Sequence, residues 1–89
     1  MQTAVRQSPQ KAAEEVYYRF GSSIRTIRRA RNMTQADLAA LAGMNKSYLV
    51  RIEGGDKNST LKTAQKLASA LEIELTTLLD GVRVTIEGA

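Results

Sequence analysis

The sequence predicts an all-α domain of five helices followed by a short strand-like tail, and three observations carry that expectation. Apolar residues recur at helical spacing between Val16 and Leu79. Most of these runs open on a capping residue or close on a glycine. Alternation of period two is confined to the segment from Val82 to Glu87. With 89 residues the chain has room for one compact domain with a modest core, and too few residues for a second.

Ser8-Pro9 opens the first helix, with Ser as cap and Pro at the first position, where its missing N–H is not needed. Val16, Phe20, Ile24 and Ile27 then carry the helical period to about Arg31. Gly21 interrupts this pattern at a cost of roughly 1 kcal/mol relative to alanine, so the part before Phe20 is either continuous helix or a frayed, separate segment. The second helix starts at Thr34, whose hydroxyl and the Asp37 carboxylate have capping-box spacing. It places Leu38, Leu41 and Ala42 on one face and ends at Gly43, a residue free to adopt a left-handed backbone. Asn45 caps the third helix, which turns Met44, Leu49 and Ile52 inward and leaves Lys46, Ser47, Val50 and Arg51 facing outward. The run Gly54-Gly55-Asp56-Lys57-Asn58-Ser59 is a loop by composition. A fourth helix follows, begun by Asn58 or Ser59 and carrying Leu61, Ala64, Leu67, Ala68 and Leu71, and a short fifth covers Leu75 to Leu79. The expected core includes Leu38, Leu49, Ile52, Leu61, Leu67 and Leu71. Val82, Val84 and Ile86 alternate with Arg83, Thr85 and Glu87. A single strand does not stand alone, so this tail pairs with another copy, packs irregularly or stays mobile. The organisation read from these signals is an N-terminal, partly helical extension over 1–13, a domain over 14–80, and a tail over 81–89 that is a candidate dimer strand.

Two short helices joined by a glycine turn, from Thr34 to Glu53, form a helix-turn-helix, an arrangement that sets its second helix in the major groove of duplex DNA. Charge agrees with this reading. Between Arg19 and Lys66 ten Lys or Arg face Asp37, Glu53 and Asp56, a balance of +7, whereas the flanks together carry −3. The chain contains neither cysteine nor histidine, which removes disulfides, the usual zinc ligands, thiol nucleophiles and imidazole bases, and no phosphate-cradling Gly-rich motif is present. Neither an enzyme nor a metal or cofactor is therefore expected. The first ten residues lack the apolar stretch of a secretory signal, and no apolar run is long enough to span a bilayer, so a cytoplasmic protein is expected.

Several motifs in order resemble the Cro and phage-repressor type of helix-turn-helix regulator: Phe20-Gly21-x-x-Ile24-Arg25-x-x-Arg28, Thr34-Gln35-x-x-Leu38-Ala39, Tyr48-Leu49-x-x-Ile52-Glu53-x-Gly55, and Thr60-Leu61 through Ala70-Leu71. The resemblance implies a repressor-like five-helix domain whose third helix reads base edges with Lys46, Ser47 and Arg51. It implies phosphate contacts at the helix starts from Thr34, Gln35 and Asn45. Arg28 and Glu53 stand where the family commonly bridges its first and third helices, which makes them a structural ion pair. The stretch Asn45-Lys46-Ser47-Tyr48-Leu49 with Lys57-Asn58-Ser59-Thr60 is similar to the restriction-modification controller proteins, adding Tyr48 as a base-contact candidate and Lys57 and Asn58 as phosphate candidates. Lys46 stands where those proteins have Arg, replacing a planar two-pronged donor with a point charge, so base preference does not carry over. For Arg51 the competing role is a surface ion pair with Glu53 or Asp56, and for Tyr48 it is packing at the rim of the core. The implied function is a transcriptional regulator acting as a homodimer on a palindromic operator. The rival class is an antitoxin or adaptor whose main ligand is another protein, distinguished by the absence of salt-dependent duplex binding.

Overall fold

The computed structural model describes residues 8–82, and the strand expected from Val82 onward lies almost wholly outside them. Those residues form five helices: α1 (Pro9–Ala30), α2 (Gln35–Ala42), α3 (Lys46–Glu53), α4 (Leu61–Ala70) and α5 (Leu75–Leu79). α1 packs on α3 and α5, α2 packs on α3 and α4, and α4 packs on α5. The core between them holds Phe20, Ile24, Leu38, Leu49, Ile52, Leu67, Leu71 and Leu78 together with small alanines. Among the described residues no helix is long and apolar enough to cross a membrane.

Local chemistry sets the helix boundaries. The Ser8 hydroxyl accepts from the Lys11 N–H at 3.1 Å and Pro9 follows in the first turn. α1 ends where Asn32 takes a left-handed φ of 56°, a conformation asparagine tolerates better than most residues. α4 begins one or two residues later than expected, because Thr60 caps it through the Thr63 N–H at 3.1 Å. Asn58 and Ser59 are spent on the loop: the Asn58 N–H donates to Asp56 Oδ1 at 2.7 Å, and the Ser59 hydroxyl donates to the Asp56 carbonyl at 3.0 Å.

α1 runs unbroken through Gly21, and the reason lies in another helix. A Cβ at Gly21 would stand 2.3 Å from the Ile52 carbonyl oxygen and 2.6 Å from that of Glu53. Glycine permits the end of α3 to lie directly against α1, so the residue that weakens one helix seats another. Two leucines depart from expectation. Leu61, expected in the core, is 72% exposed on the first turn of α4, and Leu41 is 63% exposed near the end of α2. Leu61 is the first residue of α4, and Leu41 points away from the core although its neighbour Ala42 is buried in it.

Candidate nucleic-acid interface

α2 and α3 are held at their joint by three local devices. Thr34 and Asp37 form a reciprocal capping box, the Asp37 N–H donating to the Thr34 hydroxyl at 3.0 Å and the Thr34 N–H to Asp37 Oδ2 at 2.9 Å. The bond from the Thr34 N–H to the carboxylate, with a smaller contribution from the Thr34 hydroxyl, keeps the Asp37 carboxyl below its ordinary pKa. Gly43 then adopts φ 71°, and the Met44 N–H closes back on the Ala39 carbonyl at 3.0 Å. Asn45 caps α3 by accepting from the Tyr48 N–H at 2.8 Å.

Glu53, at the end of α3, ties the motif to α1. Its carboxylate is almost wholly buried and receives Arg28 on both oxygens, at 2.7 Å from Nε and 3.0 Å from a terminal nitrogen. Gln35 Nε2 donates to the same carboxylate at 3.1 Å, and Arg25 Nε stands 3.6 Å away. Arg28 also donates to the Met33 carbonyl and Arg25 to the Glu53 carbonyl, which ties the α1–α2 turn and the end of α3 into the network. Burial by itself pushes the Glu53 carboxyl up. The hydrogen bonds from Arg28 and Gln35 and the charges of Arg28 and Arg25 outweigh it and hold the carboxyl below its usual range. Its hydrogen bond with Glu53 raises Arg28 against the opposing effect of burial.

Of the base-contact candidates, Lys46 and Ser47 are exposed at the start of α3 and have no hydrogen-bond or ion-pair partner among the described residues. Arg51 is exposed, with Nε 3.2 Å from Asp56 Oδ2 and its guanidinium carbon 5.6 Å from the centre of the Tyr48 ring. Tyr48 is half-buried. Its hydroxyl lies 3.2 Å from both the Asn58 carbonyl and Thr63 Oγ1, so the ring joins α3 to the loop and to α4.

The phosphate candidates divide by what already occupies them. Thr34 and Asn45 use their side-chain oxygens as caps. Gln35 is half-buried and spends one amide hydrogen on Glu53, which fixes the direction of the second. Lys57 is exposed and 3.4 Å from Glu14 of α1, and Asn58 is exposed in the Asp56 turn. The basic balance read from the sequence is thus partly consumed inside the fold: Arg19 pairs with Glu15, Arg25 and Arg28 with Glu53, and Arg31 with Glu72. Arg29, Lys46, Lys62 and Lys66 have no ion-pair partner among the described residues. Sequence reasoning assigned no role to Arg25 or Thr63. It named Asp56 as a partner for Arg51, but did not connect it to the Asn58 turn.

Comparison with known proteins gives a consistent picture. The helix-turn-helix family profile matches residues 24–78. The immunity repressor protein of Bacillus phage phi105 is 37% identical over 59 residues, covering 66% of this chain and 41% of the repressor, so the chain spans under half that relative's length. The crystal structure of the restriction-modification controller protein C.AhdI from Aeromonas hydrophila shares 39% identity at a TM-score of 0.67, over 70% of this chain and 94% of that one. The biofilm-formation master regulator SinR, solved in complex with DNA, shares 32% identity at a TM-score of 0.64, over 68% of this chain and 98% of that one.

Proposed function

The chain belongs to the Cro/C1-type helix-turn-helix family of DNA-binding transcriptional regulators, and from that premise we propose that it acts in the cytoplasm as a homodimer on a palindromic operator. As a member of this family it is a regulator and not an enzyme. Lys46, Ser47, Tyr48 and Arg51 are assigned to base edges, and Thr34, Gln35, Asn45, Lys57 and Asn58 to phosphates. One observation supports this reading above the others. The outward face of α3 carries Lys46, Ser47, Val50 and Arg51 in the open, while Leu49, Ile52 and Glu53 on the same helix are buried. Such a helix is rigidly mounted and presents donors suited to the O6 and N7 acceptors of guanine. The likeness to a controller protein and to a regulator solved with DNA points the same way.

Selection of bound sequences from a random duplex pool tests the reading. The expected product is two inverted half-sites centred about 10 base pairs, or 34 to 36 Å, apart, the spacing of paired recognition helices on one face of the duplex. Arg51→Ala should then lose about 1 to 3 kcal/mol on that site and relax base preference, whereas Gln35→Ala should weaken all sequences about equally. A pool that enriches nothing, with binding insensitive to salt, would place the chain among protein-interaction modules instead.

A further inference from the structure

We propose that Asp56 is a positioning residue that sets the base selectivity of Arg51, an inference that rests on reading Arg51 as a base contact. Asp56 stands at the junction of three constraints. Its backbone N–H donates to the Arg51 carbonyl at 3.0 Å, its Oδ1 accepts the Asn58 N–H at 2.7 Å, and its Oδ2 meets Arg51 Nε at 3.2 Å. Gly55, immediately before it, has φ 98°, a conformation that brings the carboxylate back over the end of α3 and that few residues other than glycine adopt. The Asp56 side chain is only 15% exposed, although Arg51 beside it is 60% exposed. The carboxylate is therefore fixed by its own loop before any ligand arrives.

What this does to Arg51 follows from guanidinium geometry. The five N–H donors lie in one plane, with Nε on the side and two terminal amino groups at the end. Asp56 engages Nε, and the terminal groups have no partner among the described residues. Those terminal groups provide the pair of parallel donors that meets the O6 and N7 acceptors of guanine. The Tyr48 ring limits movement on the second side, and Tyr48 is itself anchored to Asn58 and Thr63. A free arginine beside DNA samples many rotamers and reaches phosphates as readily as bases. Arg51, held at Nε and bounded by an aromatic face, is pre-set for one end-on approach. The Asp56 carboxylate also repels the polyanion. That repulsion acts on operator and random duplex alike and lowers both affinities without altering their ratio, so discrimination comes from the hold on Arg51 Nε.

The experiment measures affinity of the full chain for the selected operator and for random duplex, using wild type, Asp56→Asn, Arg51→Ala and the double variant. Asp56→Asn keeps an acceptor for the Asn58 N–H and removes the charge. Asp56→Ser gives the same comparison should the asparagine variant melt out. The expected result is a fall of roughly two- to tenfold in the operator-to-random ratio, the range for one rotamer-rich side chain that must now be ordered on binding. Random-duplex affinity should stay level or rise, and in the Arg51→Ala background the Asp56 substitution should leave the ratio unchanged. A purely structural loop role would weaken both duplexes alike and persist without Arg51, which would overturn the proposal. So would an unaltered ratio in Asp56→Asn when Arg51→Ala lowers it. If Arg51→Ala itself leaves the ratio unchanged, the base-contact reading fails, and this inference with it.

Discussion

Replacing Gly21 with alanine sets two physical effects against each other, and the structure decides the sign. Within an isolated helix the change stabilises by about 1 kcal/mol, since alanine is the better helix former. In the fold, the new Cβ would stand 2.3 Å from the Ile52 carbonyl oxygen and 2.8 Å from the Glu53 carbonyl carbon, where ordinary contact begins near 3.4 Å. Neither obstacle is a side chain that can rotate away, so α1 and α3 must part by about 1 Å. A gap of that size forfeits a quarter to a half of each dispersion contact across the interface. Phe20 and Ile24 on one side and Leu49 and Ile52 on the other belong to the core that this interface closes. Overpacking of this kind costs about 1 to 3 kcal/mol and at times more, and separation also loosens the Arg28–Glu53 pair. The net expectation is destabilisation by about 2 kcal/mol, read in urea as a midpoint lowered by about 2 M at the slope usual for a small domain. Gly54→Ala is the control. Its backbone has an ordinary φ of −89° and its nearest obstacle is 3.5 Å away, so the substitution should be neutral or stabilising by about 0.4 to 1 kcal/mol. A Gly21→Ala midpoint at or above wild type would refute the inferred closeness of α1 and α3.

Glu53→Gln should cost about 3 to 5 kcal/mol at neutral pH by leaving Arg28 buried without its counter-charge. Because the Glu53 carboxyl is held below its usual range, its contribution is complete above the unfolded carboxylate pKa of about 4.3 and is lost as pH falls through the lower folded value. The stability gap between wild type and variant, followed by urea titration, should accordingly narrow in acid; a gap that stays constant to pH 2 would contradict the assignment. Tyr48→Phe removes a hydroxyl placed on Asn58 and Thr63 and should destabilise by about 1 kcal/mol in the same assay. An unchanged midpoint would show that the loop does not depend on that tie.

The helices were legible where local chemistry fixes them. Ser8, Thr34 and Asn45 announce helix starts because each cap bonds a backbone donor three residues on, a distance the sequence itself displays. Gly43 is legible for the same reason, its left-handed turn being a property of one residue. The start of α4 reads early because Asn58, Ser59 and Thr60 are all good caps, and only Thr60 accepts a backbone N–H of the helix, while Asn58 and Ser59 bond back to Asp56 in the loop. Gly21 read as a flaw because the backbone it accommodates belongs to α3, distant in sequence. Net charge near the motif overstated the cationic surface for a like reason: Glu14, Glu53 and Glu72 reach basic residues on other elements, and residue counts do not reveal such pairs. At the site, the residues of α3 were visible from helical phase, while the bond from Gln35 to Glu53 and the seat of Arg51 on Tyr48 required the packed fold.

Asn45 caps α3 from outside its exposed face, and Leu49, Ile52 and Glu53 anchor it from within. Lys46, Ser47 and Val50 consequently have no duty in holding the domain together. On the proposed function, specificity and foldability are separable at these three positions, so a library varied there should keep its fold while sampling new operators. Arg51 is the exception on that face. Any change there leaves the loop-held Asp56 carboxylate without its guanidinium partner, so on the proposed reading an altered preference at this position calls for matched changes in the loop. Under that proposal, divergence among regulators built on this scaffold would proceed at two speeds: freely at the start of α3, and in coordinated steps at its end.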